Sequence, residues 1–329
     1  MKQSNGHREA VLQLLEQTRL PQGEVSERLI QALDPAYWEK LNPFLSIGRE
    51  KHCENIEEMA MSAEAEPQVA ERFFREGYFK LDSLLSHTAK EKVKDGVEVV
   101  KRAGWPPVFG FVYDQFWLAI RPPSLMRLLT AILGPGYKQS WHLWSHYIHP
   151  KRGASGWPAH VDNYHYPDRV TIWIPLSDAT LDNGCLFLIP KDLVSNSVVE
   201  TLYAPGDLVP IADLQVMLQG AEALPVRGGS VLGWQHDVIH WGSCHRGRQE
   251  HPRISITSEF ISTSSTLREG EIPPLDVSGS LPTFDQRLYA IAAEILNYQR
   301  VETLMIRYVD LARRLMAATG GVAMPNRKL

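Results

Sequence analysis

The sequence predicts a mainly β core, of the sandwich, jelly-roll or barrel kind, with α-helices before and after it. Three observations predict it. From about 137 to 260, short β-branched and aromatic segments ("QSWHLWSHYI", "RVTIWIPLS", "GCLFLIP", "GGSVLGWQ", "RISITSEF") alternate with Gly, Pro, Asn and Asp, the texture of many short strands joined by turns. The chain ahead of this region carries apolar residues at helical spacing. Beyond a Pro/Gly/Ser-rich passage at 270–282, helical spacing returns in "TFDQRLYAIAAEILNYQRVETLMIRYVDLARRLMAA".

The elements follow in order. "HREAVLQLLEQTRL" and "SERLIQALD" read as the first helices, and "VAERFFREGYFKLDSLL" as a helix ending near Gly77 followed by a short strand, Tyr78–Leu81. "HTAKEKVKDGVEVVKRAG" and "SLMRLLTAILGPG" are two more helices, with Ser124 expected as the N-cap of the second and Gly134-Pro135 as its stop. The aromatic-rich 105–123 stretch reads as packing plus a loop, with a lid over an active site as the lesser reading. The C-terminal Leu, Ile and Met stripe is expected to pack on the sheet. The expected organisation is one domain, 1–329: a helical region with a short strand (1–136), the β core (137–262) and the C-terminal helices (283–318).

Composition bounds the function. A hydrophobic share of 44% and a charged share of 22% are those of an ordinary globular protein. A formal net charge of −4 excludes a strongly basic nucleic-acid footprint. The three cysteines (Cys53, Cys185 and Cys244) are scattered, which fits reduced thiols rather than a disulfide framework. No apolar run is long enough to span a bilayer, and the N-terminus lacks a secretory apolar segment. The expectation is a cytoplasmic monomer or homodimer acting on a small molecule, with no nucleic-acid and no membrane partner.

The chemistry concentrates in "WPAHVDNYHYPDRVTIWIPL". Residues two apart on an extended chain point to one face, so His160 and Asp162 project together. A pair holds a metal poorly, and the completing group must come from another strand. In "GGSVLGWQHDVIHWGSCHRG" both His236 and His240 are available; His240, followed by Trp241, Gly242 and Ser243, is the preferred one. Two imidazoles and a carboxylate on one face make the facial triad of non-haem Fe(II) oxygenases, which leaves coordination positions open. A structural zinc site would call on thiolates, and Cys185 and Cys244 show no such spacing. Downstream, Arg253 stands in a strand-like segment with Ser255 on its face. Its planar fork suits the far carboxylate of a chelating 2-oxo acid.

These residues resemble the phytanoyl-CoA dioxygenase-like branch of the Fe(II)/2-oxoglutarate oxygenases. The likeness spans roughly 69–260: "HVD", the strand into an Asn-Gly turn in "VTIWIPLSDATLDNGCLFLIP", "GGSVLGWQHDVIHWGS", Arg253, and the early "FFREGYFKLDSLL". The resemblance implies a double-stranded β-helix (jelly roll, cupin-like) and a dioxygenase that hydroxylates its substrate with release of succinate and CO2. It implies His160, Asp162 and His240 as iron ligands, Arg253 as the 2-oxoglutarate anchor, Trp173 and, less directly, His146 as cosubstrate-pocket residues, and O2 as the oxidant. Where the family usually has Gly-Ser-His after "LIP", this chain has Lys191-Asp192-Leu193, a difference at the mouth of the barrel. Asp162 speaks against a halogenase, which vacates the carboxylate position.

Other readings stay open at this point. A cupin-like metal enzyme needs no 2-oxo acid and leaves Arg253 idle; a β-sandwich binding module keeps the fold without the chemistry. His165 is expected at the pocket rim, His142 and His149 as strand-face or loop residues, and His146 either in the pocket or in packing. Ser255 is either a carboxylate partner or a core serine.

Overall fold

The computed structural model describes residues 19–48, 56–58, 61–62, 64–163, 165–166, 168–194, 198, 210–268 and 271–323. Most of the expected first helix and Cys53 lie outside the described residues. Helices α1 (Gln22–Leu33) and α2 (Pro35–Leu41) begin the described residues, and α3 (Glu66–Glu76) leads into strand β1 (Tyr78–Leu81). The α3–β1 junction is Gly77, at φ +79, where a Cβ would sit 2.5 Å from Val238 Cγ2. A left-handed backbone and no room for a side chain both require glycine there. Helix α4 (His87–Arg102) is capped by the Ser86 side chain, which accepts from the Ala89 N–H.

The 105–123 stretch is core rather than lid. A 3-10 segment, Pro107–Val112, and the short α5 (Asp114–Ala119) bury Trp105, Phe109, Phe111, Phe116 and Trp117. None of these lines the large cavity described below. Helix α6 (Pro123–Leu133) corrects the expected cap: Ser124 lies inside the first turn, with Pro123 at N1. Its N–H and hydroxyl both donate to the carboxylate of Glu57, which comes from a distant segment and does the capping instead.

Strands β2 (Lys138–Ile148), β3 (Arg169–Pro175), β4 (Leu186–Leu188), β5 (Glu222–Leu224), β6 (Val231–Gln235), β7 (His240–Gly242), β8 (Arg253–Ile261) and β9 (Leu275–Asp276) form two antiparallel sheets. The larger has the order β1-β6-β3-β8-β2-β9, and the smaller β5-β4-β7. Helix α7 (Ile211–Gly220) precedes β5. Helix α8 (Phe284–Tyr298) opens with a capping box between Thr283 and Gln286, and α9 (Val309–Ala323) ends the described chain. The C-terminal region is therefore not one helix, because a turn and the 3-10 segment Thr303–Tyr308 divide it.

Strand alternation sorts the larger sheet into two faces. Val170, Ile172, Ile174, Ile254, Ile256 and Phe260 pack with the helices in the main core. Trp173, Leu232 and Trp234 face the smaller sheet, where they meet Leu186, Leu188 and Leu224. Gly233 lies opposite Phe79, and a Cβ on it would come within 2.4 Å of the ring. Because β3 is covered on both faces, all its residues are buried. The polar residues of the second face, Thr171, Arg253, Thr257 and Glu259, are thus directed between the sheets. No helix among the described residues is long and apolar enough to cross a membrane.

Candidate active site

His160 and His240 are set opposite each other by an antiparallel bridge: the His160 N–H donates to the His240 carbonyl (3.0 Å) and the reverse bond is 2.9 Å. The bridge aligns the two imidazoles, with ring centroids 4.3 Å apart. The Nδ1 of His160 is 2.7 Å from the Pro158 carbonyl and that of His240 is 3.0 Å from the Val238 carbonyl. A carbonyl only accepts, so both Nδ1 atoms carry the proton and both Nε2 atoms offer a lone pair.

Those two lone pairs converge on Asp162. Its Oδ1 lies 3.6 Å from His160 Nε2 and 3.7 Å from His240 Nε2. Its Oδ2 is occupied, accepting from Thr171 Oγ1 (2.6 Å) and Trp234 Nε1 (2.9 Å). The carboxylate is thereby fixed in rotation, leaving one oxygen for the imidazoles. One donor atom from each of the three residues lies within 4.8 Å of the others. His160 Nε2 is buried and without a hydrogen-bond partner among the described residues. Three acceptor atoms facing a common point, none bonded to another, fit a divalent cation.

The electrostatics of Asp162 and His240 agree with that. Burial would raise Asp162, but the surrounding imidazoles, His240 first, hold it well below the usual carboxylate range. Burial lowers His240 to about 4, so at neutral pH it is the uncharged imidazole that metal binding requires. His160 is raised: burial disfavours its charge, and the adjacent Asp162 outweighs that.

The cavity behind these residues has a volume of about 420 Å3 and reaches Arg253. Arg253 is 1% exposed. Its Nη1 donates to the Gly184 carbonyl (2.7 Å), its Cζ lies 5.6 Å from the Trp173 ring centroid, and its Nε has no partner among the described residues. It makes no ion pair with a carboxylate among the described residues, and burial lowers it to about 10. Ser255, on the same strand face, is fully buried, and its hydroxyl has no hydrogen-bond partner among the described residues. Trp173 and His146 both line the cavity.

The remaining histidines separate. His236 is buried apart from the triad, 3.4 Å from Arg268 Nη2 and 3.4 Å from Glu259 Oε2. His149 packs on Tyr147, and neither it nor His165 lines the cavity. His142, expected as a strand-face or loop residue, does line it and pairs with Glu294 at 3.1 Å. Lys191, in the departure from the family loop, is tied to Asp237 and Gln235.

Several cavity residues carried no signal in the sequence. Trp157 packs on Tyr298 (4.6 Å), His146 (5.1 Å) and His160 (5.7 Å). Glu302, after α8, accepts on one oxygen from Trp144 Nε1 (3.0 Å) and Trp157 Nε1 (3.2 Å), which ties the C-terminal segment to the cavity wall. The Gly after His240 has a local cause. A Cβ on Gly242 would lie 2.8 Å from Gly156 Cα, and one on Gly156 would lie 2.9 Å from Gly242 Cα and 3.1 Å from Arg253 Nη2. The substitution Gly156→Ala is expected to lower stability by about 1–3 kcal/mol, the usual cost of overpacking. Denaturant unfolding measures it, and an unchanged midpoint would contradict the close approach.

No curated protein matches the chain by sequence. Among solved structures, the nickel complex of the non-heme monooxygenase ThoJ is 17% identical with a TM-score of 0.52, covering 72% of this chain and 99% of its own. Apo ThoJ is 17% identical with a TM-score of 0.50, covering 75% and 99%. The non-heme alpha ketoglutarate dependent epimerase SnoN from nogalamycin biosynthesis is 15% identical with a TM-score of 0.49, covering 67% and 91%. At these identities the likeness to ThoJ is one of fold. The sequence profile of the phytanoyl-CoA dioxygenase (PhyH) family matches residues 49–254. This chain belongs to the phytanoyl-CoA dioxygenase (PhyH) family of non-haem oxygenases, whose cofactors are iron and 2-oxoglutarate.

Proposed function

We propose that the protein is a hydroxylase of a small-molecule substrate, and that its whole length forms one oxygenase domain whose two sheets are the walls of a double-stranded β-helix. His160, Asp162 and His240 hold Fe(II), and Arg253 anchors the far carboxylate of 2-oxoglutarate. When bound, the iron with 2-oxoglutarate and O2 supplies the oxidation, yielding succinate, CO2 and a hydroxylated substrate.

The chain's own residues hold and orient. Thr171 and Trp234 fix the Asp162 carboxylate through Oδ2, and the Pro158 and Val238 carbonyls fix the imidazole tautomers. Gly184 steadies the Arg253 guanidinium, leaving the rest of its fork for an oxyanion, with Ser255 beside it as a hydroxyl donor. Trp173, Trp157 and Tyr298 exclude water from the space between. His146 belongs to that wall, next to Trp157.

The observation that carries the reading is Arg253: a buried guanidinium without a carboxylate partner among the described residues, opening on the same cavity as the triad. Burying an unpaired charge is costly unless a ligand completes it. A cupin-like enzyme without a 2-oxo acid leaves that cost unexplained, and so does a non-catalytic module. Anaerobic titration with Fe(II) and 2-oxoglutarate is expected to give a weak visible charge-transfer band. Admission of O2 is then expected to give succinate. Neither band nor succinate would sink the proposal.

A further inference from the structure

The cavity has a second polar end, which the triad and Arg253 do not use. Strand β8 connects the two: Arg253 and Glu259 lie on one face, about 20 Å apart at ~3.3 Å per residue. Around Glu259 stand two arginines stacked on one ring, Arg169 at 4.8 Å and Arg268 at 5.4 Å from the Tyr166 centroid. Their situations differ. Arg169 is tied on both terminal nitrogens, with a bidentate pair to Glu271 (2.6 and 2.8 Å), a bond to Glu259 (2.8 Å) and one to the Thr266 carbonyl (3.0 Å). Arg268 lines the cavity, has Glu259 Oε2 as its nearest ion-pair partner among the described residues at 3.5 Å, and leaves Nε unpartnered.

What faces the Arg268 fork is imidazole. Its Nη1 lies 3.2 Å from His142 Nε2, and its Nη2 3.4 Å from His236 Nδ1. Glu294 takes His142 Nδ1 at 3.1 Å. Burial would lower His142, but the Glu294 carboxylate raises it to about 9, which favours the imidazolium. In that form His142 Nε2 and Arg268 Nη1 are both donors, 3.2 Å apart on the cavity wall, and an anionic oxygen beside them accepts from both, as Glu259 Oε2 accepts from Arg268 Nη2 at 3.5 Å. Thr171, opposite Glu259 in the sheet and bonded to Asp162, joins this end to the triad, and the cavity also has apolar lining from Leu143, Trp144, Trp157, Tyr298 and Val301.

We propose that Arg268, with His142, binds an anionic oxygen group on the substrate, so that the substrate is a small amphipathic acid with its apolar body against the tryptophan wall. This rests on the oxygenase reading, because that reading assigns the opposite end of the cavity to 2-oxoglutarate. Arg268 thus selects the substrate and Arg253 the cosubstrate. A planar fork suits a carboxylate in both places.

The test is equilibrium binding, followed by tryptophan fluorescence and calorimetry, on the full chain loaded anaerobically with Fe(II) and saturating 2-oxoglutarate. The probes are three matched pairs: hexanoate, 3-phenylpropanoate and indole-3-propanoate, each against its primary amide. At least one acid is expected to bind about tenfold or more tighter than its amide, the worth of a charge-assisted hydrogen bond. Arg268→Gln is expected to erase that preference while leaving the Fe(II) and 2-oxoglutarate affinities unchanged, which also shows that the variant is folded. Arg268→Lys is expected to restore part of it. No acid-over-amide preference in any pair overturns the proposal, as does a preference that survives Arg268→Gln. Failure of the oxygenase reading is a separate outcome: wild-type protein that does not bind 2-oxoglutarate, measured before any probe is added.

Discussion

His240→Ala is expected to abolish Fe(II) binding, and His236→Ala to leave it within a few-fold of wild type. The two histidines stand close together in "QHDVIH", and the chain alone offers either as the group that completes His160 and Asp162. The geometry separates them. His240 is bridged to His160 through two backbone hydrogen bonds and presents Nε2 3.7 Å from Asp162 Oδ1. His236 is turned toward Arg268 and Glu259. Loss of an outer partner of a metal ligand costs roughly 10–100-fold in metal affinity, so loss of a ligand itself is expected to exceed that. Anaerobic calorimetry with Fe(II) decides it, with unfolding curves for both variants as the check on folding. Iron binding lost in His236→Ala and kept in His240→Ala would refute the ligand assignment.

The second large effect is at Arg253. Arg253→Met is expected to weaken 2-oxoglutarate binding by about 100-fold or more, equivalent to about 3 kcal/mol, while Fe(II) affinity stays close to wild type. Hydrogen bonds to charged groups are each worth about 1.5–3 kcal/mol, and a bidentate fork makes two. The stability of the cofactor-free protein is expected to move the other way from an ordinary core truncation. Among the described residues Arg253 is buried with only the Gly184 carbonyl as a hydrogen-bond partner, so replacing its charge with an apolar chain removes a desolvation cost. Thermal unfolding without cofactor is therefore expected at or above the wild-type midpoint. A clear drop in that midpoint, with 2-oxoglutarate affinity unchanged, would make Arg253 a structural residue.

Much of this was legible from local pattern. The β-branched and aromatic make-up of "RVTIWIPLS" and "RISITSEF" marked β3 and β8, and Gly77 marked the end of α3, because strand preference and a left-handed backbone are properties of a few consecutive residues. The side-by-side projection of His160 and Asp162 is equally local. The cap of α6 was misplaced for the same reason: Ser124 is a good local capping residue, but Glu57 from a distant segment already occupies the role.

The sequence by itself determined the β core between two helical regions, the His-x-Asp face and the presence of an arginine after it. Tertiary structure alone decided the rest. The choice of His240 over His236 is made by a backbone bridge between distant segments. The orientation of Asp162 is made by Thr171 and Trp234 from two other strands, and the tie between the C-terminal segment and the tryptophan wall by Glu302. The burial of Arg253 without a carboxylate partner among the described residues, and the contacts of Arg268 with His142, His236 and Glu259, are likewise invisible in the chain. Periodicity reports which way a side chain points from its own backbone. Which partner it meets depends on how the sheets and the C-terminal helices close on one another, and that is settled by long-range packing.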